Sequence, residues 1–405
     1  MDTTGILFLD QLALDEESVV FMRVDFNVPQ DDDRNITDDA RIRAALPSIR
    51  HVLDTGAKLV LASHLGRPRG DRTQFRMEPV GARLAELADL EVLIPEELFG
   101  DEVLDGVAHL KKGQVILLDN LRFHPGETKG DAELARNLAS LANFYVNDAF
   151  GAAHRAHASV YQMVEHFDRN HKAAGFLIKK EIEALERLQE NPARPFVAVM
   201  GGAKVSDKIG VLETLLDKVD AILVGGAMAY TFLKSQGVAV GNSLVEDDQL
   251  ETAQNILKRA RRANKTFELP VDHIVAHDMN VDHVDDVDYE DGEIGEQLVG
   301  FDIGPRTIEN FRRVIAEAGT VFWNGPMGVF EHGLFANGTL EIAKCIAASK
   351  AFSVVGGGDS ASAVKVAGVE DQIDHVSTGG GASLEFVEGK PLPGIEALRA
   401  NHPFS

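Results

Sequence analysis

Val199-Met-Gly-Gly-Ala-Lys-Val-Ser-Asp-Lys-Ile-Gly210 stands almost at the middle of a 405-residue chain. A short apolar run, Phe196 to Met200, meets paired glycines, and a segment with helical spacing follows, carrying Lys204 and Lys208. Glycines let backbone N–H groups approach a phosphate closely, and a helix N-terminus attracts negative charge. Lysines at i and i+4 lie on one helical face. The stretch reads as a phosphate seat, and equally as a strand-to-helix turn with two solvated lysines.

The same strand-then-helix rhythm extends both ways. Toward the N-terminus, strands are predicted at 19–28, 58–63, 92–94, 115–118 and 144–146, with helices at 41–53, 78–89 and 132–141. Ile178, Ile182, Leu185 and Leu188 fall at helical spacing, and Pro192 and Pro195 stop that helix. The alternation restarts at Phe196, with strands predicted near 196–200, 220–224, 273–277, 320–323 and 352–355. Strands alternating with helices indicate an α/β protein with mostly parallel sheets covered on both faces. The length favours two domains. We expect two Rossmann-like three-layer domains: residues 1–177, then an interdomain helix and hinge over 178–195, then residues 196–391. A segment containing Pro391 and Pro393 and a short helical piece, Gly394–Ala400, close the chain.

Open α/β sheets bind ligands outside the carboxyl ends of their strands. In the first half those ends carry Asp25 and Asn27, His64 to Arg67, Asn120 and Arg122, and Asp148 to Arg155. Arg41, Arg67, Arg122 and Arg155 offer guanidinium forks that bind carboxylate or phosphate oxygens bidentately. Asp25 and Asn27 lie two apart on a strand and share a face. They could accept from a ligand hydroxyl or hold an arginine, and His64 could donate to an oxyanion. In the second half the ends carry Gly201 to Lys208, Gly225-Gly226, Asn324 to Glu331, and Gly356-Gly-Gly-Asp-Ser360. There the backbone N–H groups and the Ser360 hydroxyl can hold phosphate oxygens. Asp359 reads as a magnesium ligand or as a helix N-cap. Gly225-Gly226-Ala-Met-Ala could form a flat apolar slot for a purine. Opposed strand ends would make a cleft with an anion-binding wall and a nucleotide-binding wall.

Net charge is −24, from 64 acidic and 40 basic residues, which argues against nucleic acid as a main partner. The acids are concentrated, as in 282–291, read as a solvated loop or edge hairpin. The one cysteine, Cys345, excludes an internal disulfide and suits a reducing compartment. No run approaches the ~20 apolar residues that span a bilayer, and Met-Asp-Thr-Thr-Gly lacks a signal-like core. The expectation is a cytoplasmic protein. No Gly-x-x-x-x-Gly-Lys-Ser/Thr motif is present, which excludes a P-loop enzyme.

Nine stretches in one order resemble the phosphoglycerate kinase family. They are Arg23-Val-Asp-Phe-Asn-Val-Pro29, Asp38-Asp-Ala-Arg-Ile42, Ser63-His-Leu-Gly-Arg-Pro68, Asp119-Asn-Leu-Arg-Phe-His124 and Asn147 to His157. The others are Gly201-Gly-Ala-Lys-Val-Ser-Asp-Lys208, Phe322 to Glu331, Gly356 to Ser360 and Ser377-Thr-Gly-Gly-Gly-Ala-Ser383. The resemblance implies 3-phosphoglycerate binding by Asp25, Asn27, Arg41, His64, Leu65, Gly66, Arg67, Arg122 and Arg155. It implies nucleotide contacts from Gly202, Ala203, Lys204, Lys208, Gly225, Gly226, Asn324, Gly357, Gly358, Asp359 and Ser360, and a ribose contact from Glu331. It implies that Asp359 lies near magnesium, and that Arg41, Lys204, Gly380 and Gly381 serve the transfer itself. It further implies a monomer, and a C-terminal segment, 392–405, packed on the first domain. Many family members have threonine where this chain has Ser360; serine keeps the hydroxyl.

The reaction implied is reversible transfer of a phosphoryl group between ATP and the carboxylate of 3-phosphoglycerate. Two rivals frame it. A dinucleotide oxidoreductase would use Gly356-x-Gly358-x-x-Ala361, but Asp374 precedes the next strand, 375–377, where such a site expects an acid at its end. That reading would also leave the arginines unused. The second rival is a non-catalytic nucleotide-binding or scaffold protein of the same fold, and the named polar residues, all intact, oppose it.

Overall fold

The structure is a computed structural model that describes residues 4–70 and 72–404. The reading of Met1–Thr3 as free of a signal core lies outside those residues. The chain divides into two compact units, 1–183 with 391–405, and 184–390.

The first unit runs β1 (Val19–Val24), α1 (Ala40–Asp54), β2 (Lys58–Ala62), α2 (Glu78–Ala88), β3 (Glu91–Leu93), α3 (Asp101–Ala108), β4 (Gln114–Leu117), α4 (Ala132–Ala139), β5 (Phe144–Asp148) and β6 (Lys172–Ala174). Helix α5 (Phe176–Glu190) carries the chain past the unit boundary at 183/184. Among the described residues the sheet order is β3-β4-β2-β1-β5-β6, all parallel. Strand β1 is buried on both faces, so it reads as a nearly unbroken apolar run rather than an alternation. Val20, Met22 and Val24 join the core with Ile42, Ile49, Leu59 and Val146. On the opposite face Phe21 stacks on Tyr145, with ring centres 6.2 Å apart.

The second unit runs β7 (Phe196–Met200), α6 (Ile209–Leu216), β8 (Ala221–Val224), α7 (Met228–Ser235), α8 (Leu250–Arg262), β9 (Thr266–Glu268), β10 (Asp272–Ala276), β11 (Asp288–Asp291), β12 (Val299–Ile303), α9 (Pro305–Ala316), β13 (Thr320–Asn324), α10 (Asn337–Ala348), β14 (Phe352–Gly356), α11 (Gly358–Val366), β15 (His375–Val376) and α12 (Gly381–Val387). Its parallel sheet has the order β15-β14-β13-β7-β8-β9. Trp323, Val197, Leu223 and Ile342 lie in its core.

One strand departs from the expected parallel alternation. Strand β10 belongs to a separate antiparallel sheet, β11-β10-β12. The acidic stretch supplies the outer strand, β11, and its charged residues remain in water at a sheet edge.

Helix α13 (Pro393–Glu396) belongs to the first unit. Gly394 N donates to Ala153 O at 2.8 Å, and the Asn147 side chain donates to Gly394 O at 3.1 Å. Lys172 Nζ donates to Ala397 O at 2.9 Å.

Candidate active site

In the first unit the chain leaves β1 toward β2 on one side and later returns to place β5 on the other. Strand order therefore reverses at β1 and β5, and the predicted binding residues follow the carboxyl ends around that point. Asp25 follows β1 and is buried; Arg41, in the first turn of α1, places Nη1 2.5 Å from its Oδ2. Asp38 Oδ1, just ahead of the α1 N-cap Asp39, takes the Ala40 N–H at 2.8 Å and satisfies one of the free donors of the first turn. Burial opposes ionisation of Asp25, but Arg41 and Arg23 overcome it and hold the carboxyl below its ordinary value.

Three loops are tied together at Gly66. Its N–H donates to Asn27 Oδ1 at 2.8 Å, and its carbonyl accepts from Arg122 Nη1 at 2.6 Å. Gly66 has φ +57°, and a Cβ there would lie 2.5 Å from the Phe75 ring, so both backbone and space call for glycine. Buried Asn120 accepts from Leu65 N at 3.2 Å and donates to Leu65 O at 2.7 Å.

The arginines converge. Arg122 is half-buried, and its guanidinium is held below its usual value by burial and then by Arg23, with Arg67 also contributing. His64 is almost fully buried and is pushed down to about 3, first by burial, with Arg23, Arg122 and Arg41 adding to it against Asp25. His157, pushed down to about 4 by burial, also feels Arg23, Arg122 and Arg155. Arg67 and Arg155 are exposed. The sequence reading did not single out Arg23. It is fully buried in β1, and a charge inside an apolar strand was the available signal.

In the second unit the order reverses between β7 and β13. The opening stretch leaves β7 at that point. Gly201 N donates to Asn324 O at 2.9 Å, and Gly202 N to Pro326 O at 3.0 Å. Gly225 N bonds Met200 O at 2.9 Å, and Gly226 N bonds Met327 O at 2.8 Å. Gly202 and Gly226 have φ of +115° and +68°. A Cβ on Gly226 would lie 2.6 Å from Gly202 O, so the two turns are in backbone contact.

Two local expectations are corrected here. Lys204 and Lys208 do not share a helical face, because α6 begins at Ile209, Lys204 is in irregular chain and 206–208 forms a turn. Glu246 takes the Ser206 N–H at 3.0 Å and its hydroxyl at 2.6 Å, which holds the segment outside the helix. The purine slot does not extend along Gly225-Gly226-Ala-Met-Ala, because Met228 and Ala229 are fully buried in α7. Gly226 and Ala227 alone of the five retain partial exposure.

Lys208 is half-buried and donates to Asn324 Oδ1, while Asn324 Nδ2 donates to Gly356 O at 2.7 Å. Burial lowers the Lys208 pKa, with Asp207 and Asp359 acting against it. Lys204 and Ala203 are exposed. Asp359 is not an N-cap: Gly357, at φ +93°, takes that place, and Asp359 lies exposed in the first turn of α11 beside Gly358. Ser360 is fully buried, and its Oγ accepts the Gly325 N–H at 2.6 Å, so it stands beneath the turn and braces it. Glu331 is exposed. Gly380, with φ +53°, precedes Gly381 at the start of α12, and Gly379 N donates to Ser377 Oγ at 3.1 Å. Asp374 bonds Ser353 ahead of β15, so no ribose-binding acid stands at that strand's carboxyl end.

The comparisons agree with this layout. A family model described as phosphoglycerate kinase matches residues 9–390. A phosphoglycerate kinase of Anaeromyxobacter dehalogenans is 56% identical over 381 residues, covering 93% of this chain and 96% of the relative. One from Campylobacter hominis is 50% identical over 395 residues, 97% of each chain. The solved phosphoglycerate kinase of Coxiella burnetii superposes with TM-score 0.85 at 41% identity, over 98% of this chain and 100% of that one. That of Pyrococcus horikoshii gives 0.81 at 34% identity, over 98% and 99%. With two parallel-sheet units, paired strand-order reversals and a match along nearly its whole length, the chain belongs to the phosphoglycerate kinase family.

Proposed function

We propose that this chain catalyses reversible phosphoryl transfer between ATP and the carboxylate of 3-phosphoglycerate, forming ADP and 1,3-bisphosphoglycerate in the reverse of the glycolytic direction. The observation that carries the reading is the cationic cluster around Asp25 and His64, which suits a small ligand with two anionic ends. Asp25, Asn27, Arg41, His64, Leu65, Gly66, Arg67, Arg122 and Arg155 form the 3-phosphoglycerate site. Gly202, Ala203, Lys204, Lys208, Gly226, Asn324 and Gly357 to Asp359 hold the nucleotide, with Glu331 on the ribose, while buried Gly225 and Ser360 brace the turns from beneath.

The acceptor is a carboxylate with an ordinary pKa near 3.5, already ionised at neutral pH, so no general base is required. The work left to the protein is alignment and cover for the charge on the group in flight. Lys204 meets the transferring oxygens together with Arg41. Lys208 holds the donor phosphates, and Gly380 and Gly381 offer backbone N–H groups to the transferring group.

Magnesium fits this residue set. Asp359 is an exposed carboxylate whose charge reaches Lys208, and no cluster of three or more His, Cys, Asp or Glu suited to a metal occurs among the described residues. Such a site suits an ion that takes one carboxylate and completes its shell with phosphate oxygens and water. When bound, the ion neutralises charge on the nucleotide phosphates.

Transfer requires the nucleotide held by one unit to meet the acceptor held by the other. Hinge closure about residues 178–195 and near Gly379–Gly381 would supply this and exclude water. The domains we assign are 1–177 for 3-phosphoglycerate, 178–195 as hinge, and 196–391 for nucleotide, with 392–405 serving the first. The protein works as a cytoplasmic monomer without nucleic-acid or membrane partners; no helix among the described residues is long and apolar enough to cross a membrane. A coupled assay with ATP, magnesium and 3-phosphoglycerate tests the activity. Turnover should require all three, and its absence would sink the assignment.

A further inference from the structure

Arg23 is fully buried, and its guanidinium makes three bonds inside the first unit. Nε donates to Ser159 Oγ at 3.0 Å, Nη1 donates to Val24 O, and Nη2 lies 3.1 Å from His64 Nδ1. A guanidinium carries donors only, so the ring atom it meets must offer a lone pair. His64 Nδ1 is therefore unprotonated, and in a neutral imidazole the proton rests on Nε2.

The other end of the chain of bonds is also forced. The Ser159 hydroxyl has one proton, and it goes to Glu127 Oε1 at 2.6 Å. Its lone pair is then left for Arg23. Ser159 N donates to Glu127 Oε2 at 3.1 Å, and Glu127 is fully buried. Tyr145 hydroxyl bonds Ser159 O at 2.9 Å, and His157 Nδ1 lies 3.9 Å from Glu127. The Ser159 hydroxyl thus donates to Glu127, and Arg23 donates to Ser159 on one side and meets His64 on the other.

We propose that Arg23, anchored by Ser159 and Glu127, fixes His64 as the Nε2–H tautomer and so makes it a permanent hydrogen-bond donor toward an anionic substrate oxygen. The charged groups acting on His64 are Asp25, which favours imidazolium, and Arg23, Arg41 and Arg122, which oppose it along with burial. The ring stays neutral, so it neither exchanges protons with the reaction nor accepts from a ligand. Arg23, Ser159 and Glu127 are positioning residues. The identity of the substrate rests on the function proposed above; the tautomer is a property of the free chain.

Long-range proton–nitrogen correlation spectra of histidine-labelled protein test this, with His64 assigned by comparison with His64→Gln. The ring should show a single Nε2–H tautomer that persists from pH 8 to pH 5. Arg23→Lys should retain it. Arg23→Met combined with Glu127→Gln removes both buried charges, which avoids leaving one unpaired. In that variant His64 should populate Nδ1–H, and the KM for 3-phosphoglycerate should rise about fivefold with that for ATP unchanged, as expected for one hydrogen bond. An Nδ1–H or titrating ring in the wild type overturns the proposal, even if the double variant does not fold. So does a folded double variant with the tautomer and both KM values unchanged. The expected wild-type spectrum supports the assignment even in a chain that shows no turnover with ATP and 3-phosphoglycerate.

Discussion

Arg41 Nη1 and Asp25 Oδ2 are 2.5 Å apart, a charge-assisted contact between the first turn of α1 and the residue after β1. The pair holds an otherwise mobile side chain at the carboxyl end of the sheet, where it can meet an anion. Arg41→Ala should lower kcat by about 10²-fold or more, because its charge is wanted mainly in the transition state. Steady-state kinetics decide it, and a near-normal kcat would remove Arg41 from that role.

Lys204 and Lys208 differ in setting and should differ in effect. Exposed Lys204 has no side-chain bond to lose among the described residues, so Lys204→Ala should cost about 10² in kcat with thermal stability unchanged. Lys208 is tied to Asn324, so Lys208→Ala should raise the KM for ATP roughly tenfold, the scale of one hydrogen bond to a charged group. Equal effects of the two substitutions on both constants would contradict the division of labour.

Gly66→Ala places a side chain at φ +57° and against the Phe75 ring. The backbone term alone costs about 1–2 kcal/mol. Because Gly66 joins Asn27 to Arg122, the variant should also raise the KM for 3-phosphoglycerate while leaving that for ATP alone. Thermal unfolding and kinetics together check this.

Asp148, at the end of β5, accepts from Leu177 N at 2.9 Å and from Ile178 N at 3.4 Å in the first turn of α5. Burial pushes its carboxyl up to about 7, against the Ser48 hydroxyl and those two N–H groups. The folded state then keeps a proton that the unfolded chain, titrating near 4, gives up. This contribution lowers stability as pH rises from about 4 to about 7 and levels off above that. Asp148→Asn should remove it, so the wild-type stability minus that of the variant should fall by a few kcal/mol across that window. Denaturant titrations at pH 4.5, 6 and 8 measure it; a pH-independent difference would show that Asp148 is ionised throughout.

Closure about residues 178–195 should appear in small-angle scattering as a smaller radius of gyration with ATP and 3-phosphoglycerate together than with either alone. An unchanged radius would rule the hinge motion out.

Element types were legible where periodicity was strong. The run 19–28 and the repeat at Ile178, Ile182, Leu185 and Leu188 yielded a strand and a helix because each buries a continuous apolar surface, although the strand ends at Val24 and leaves Asp25 and Asn27 in the loop after it. Strand β10 could be found but not paired, since its antiparallel partners, β11 and β12, lie beyond a charged excursion. The helix expected to carry Lys204 and Lys208 starts only at Ile209, because Glu246, forty residues from Ser206, takes both the N–H and the hydroxyl of Ser206.

The sequence by itself determined the α/β class, the family, and which polar residues follow which strands, since all three are carried by local pattern and by motifs in fixed order. Tertiary structure decided what those residues do to one another. Ser360 turned inward to brace Gly325, Asp359 stayed exposed in the first turn of α11, and Arg23 became the fixed point for His64. Those outcomes depend on hydrogen-bond direction and burial between segments far apart in the chain, such as the 41 positions from Arg23 to His64, and no local pattern encodes them.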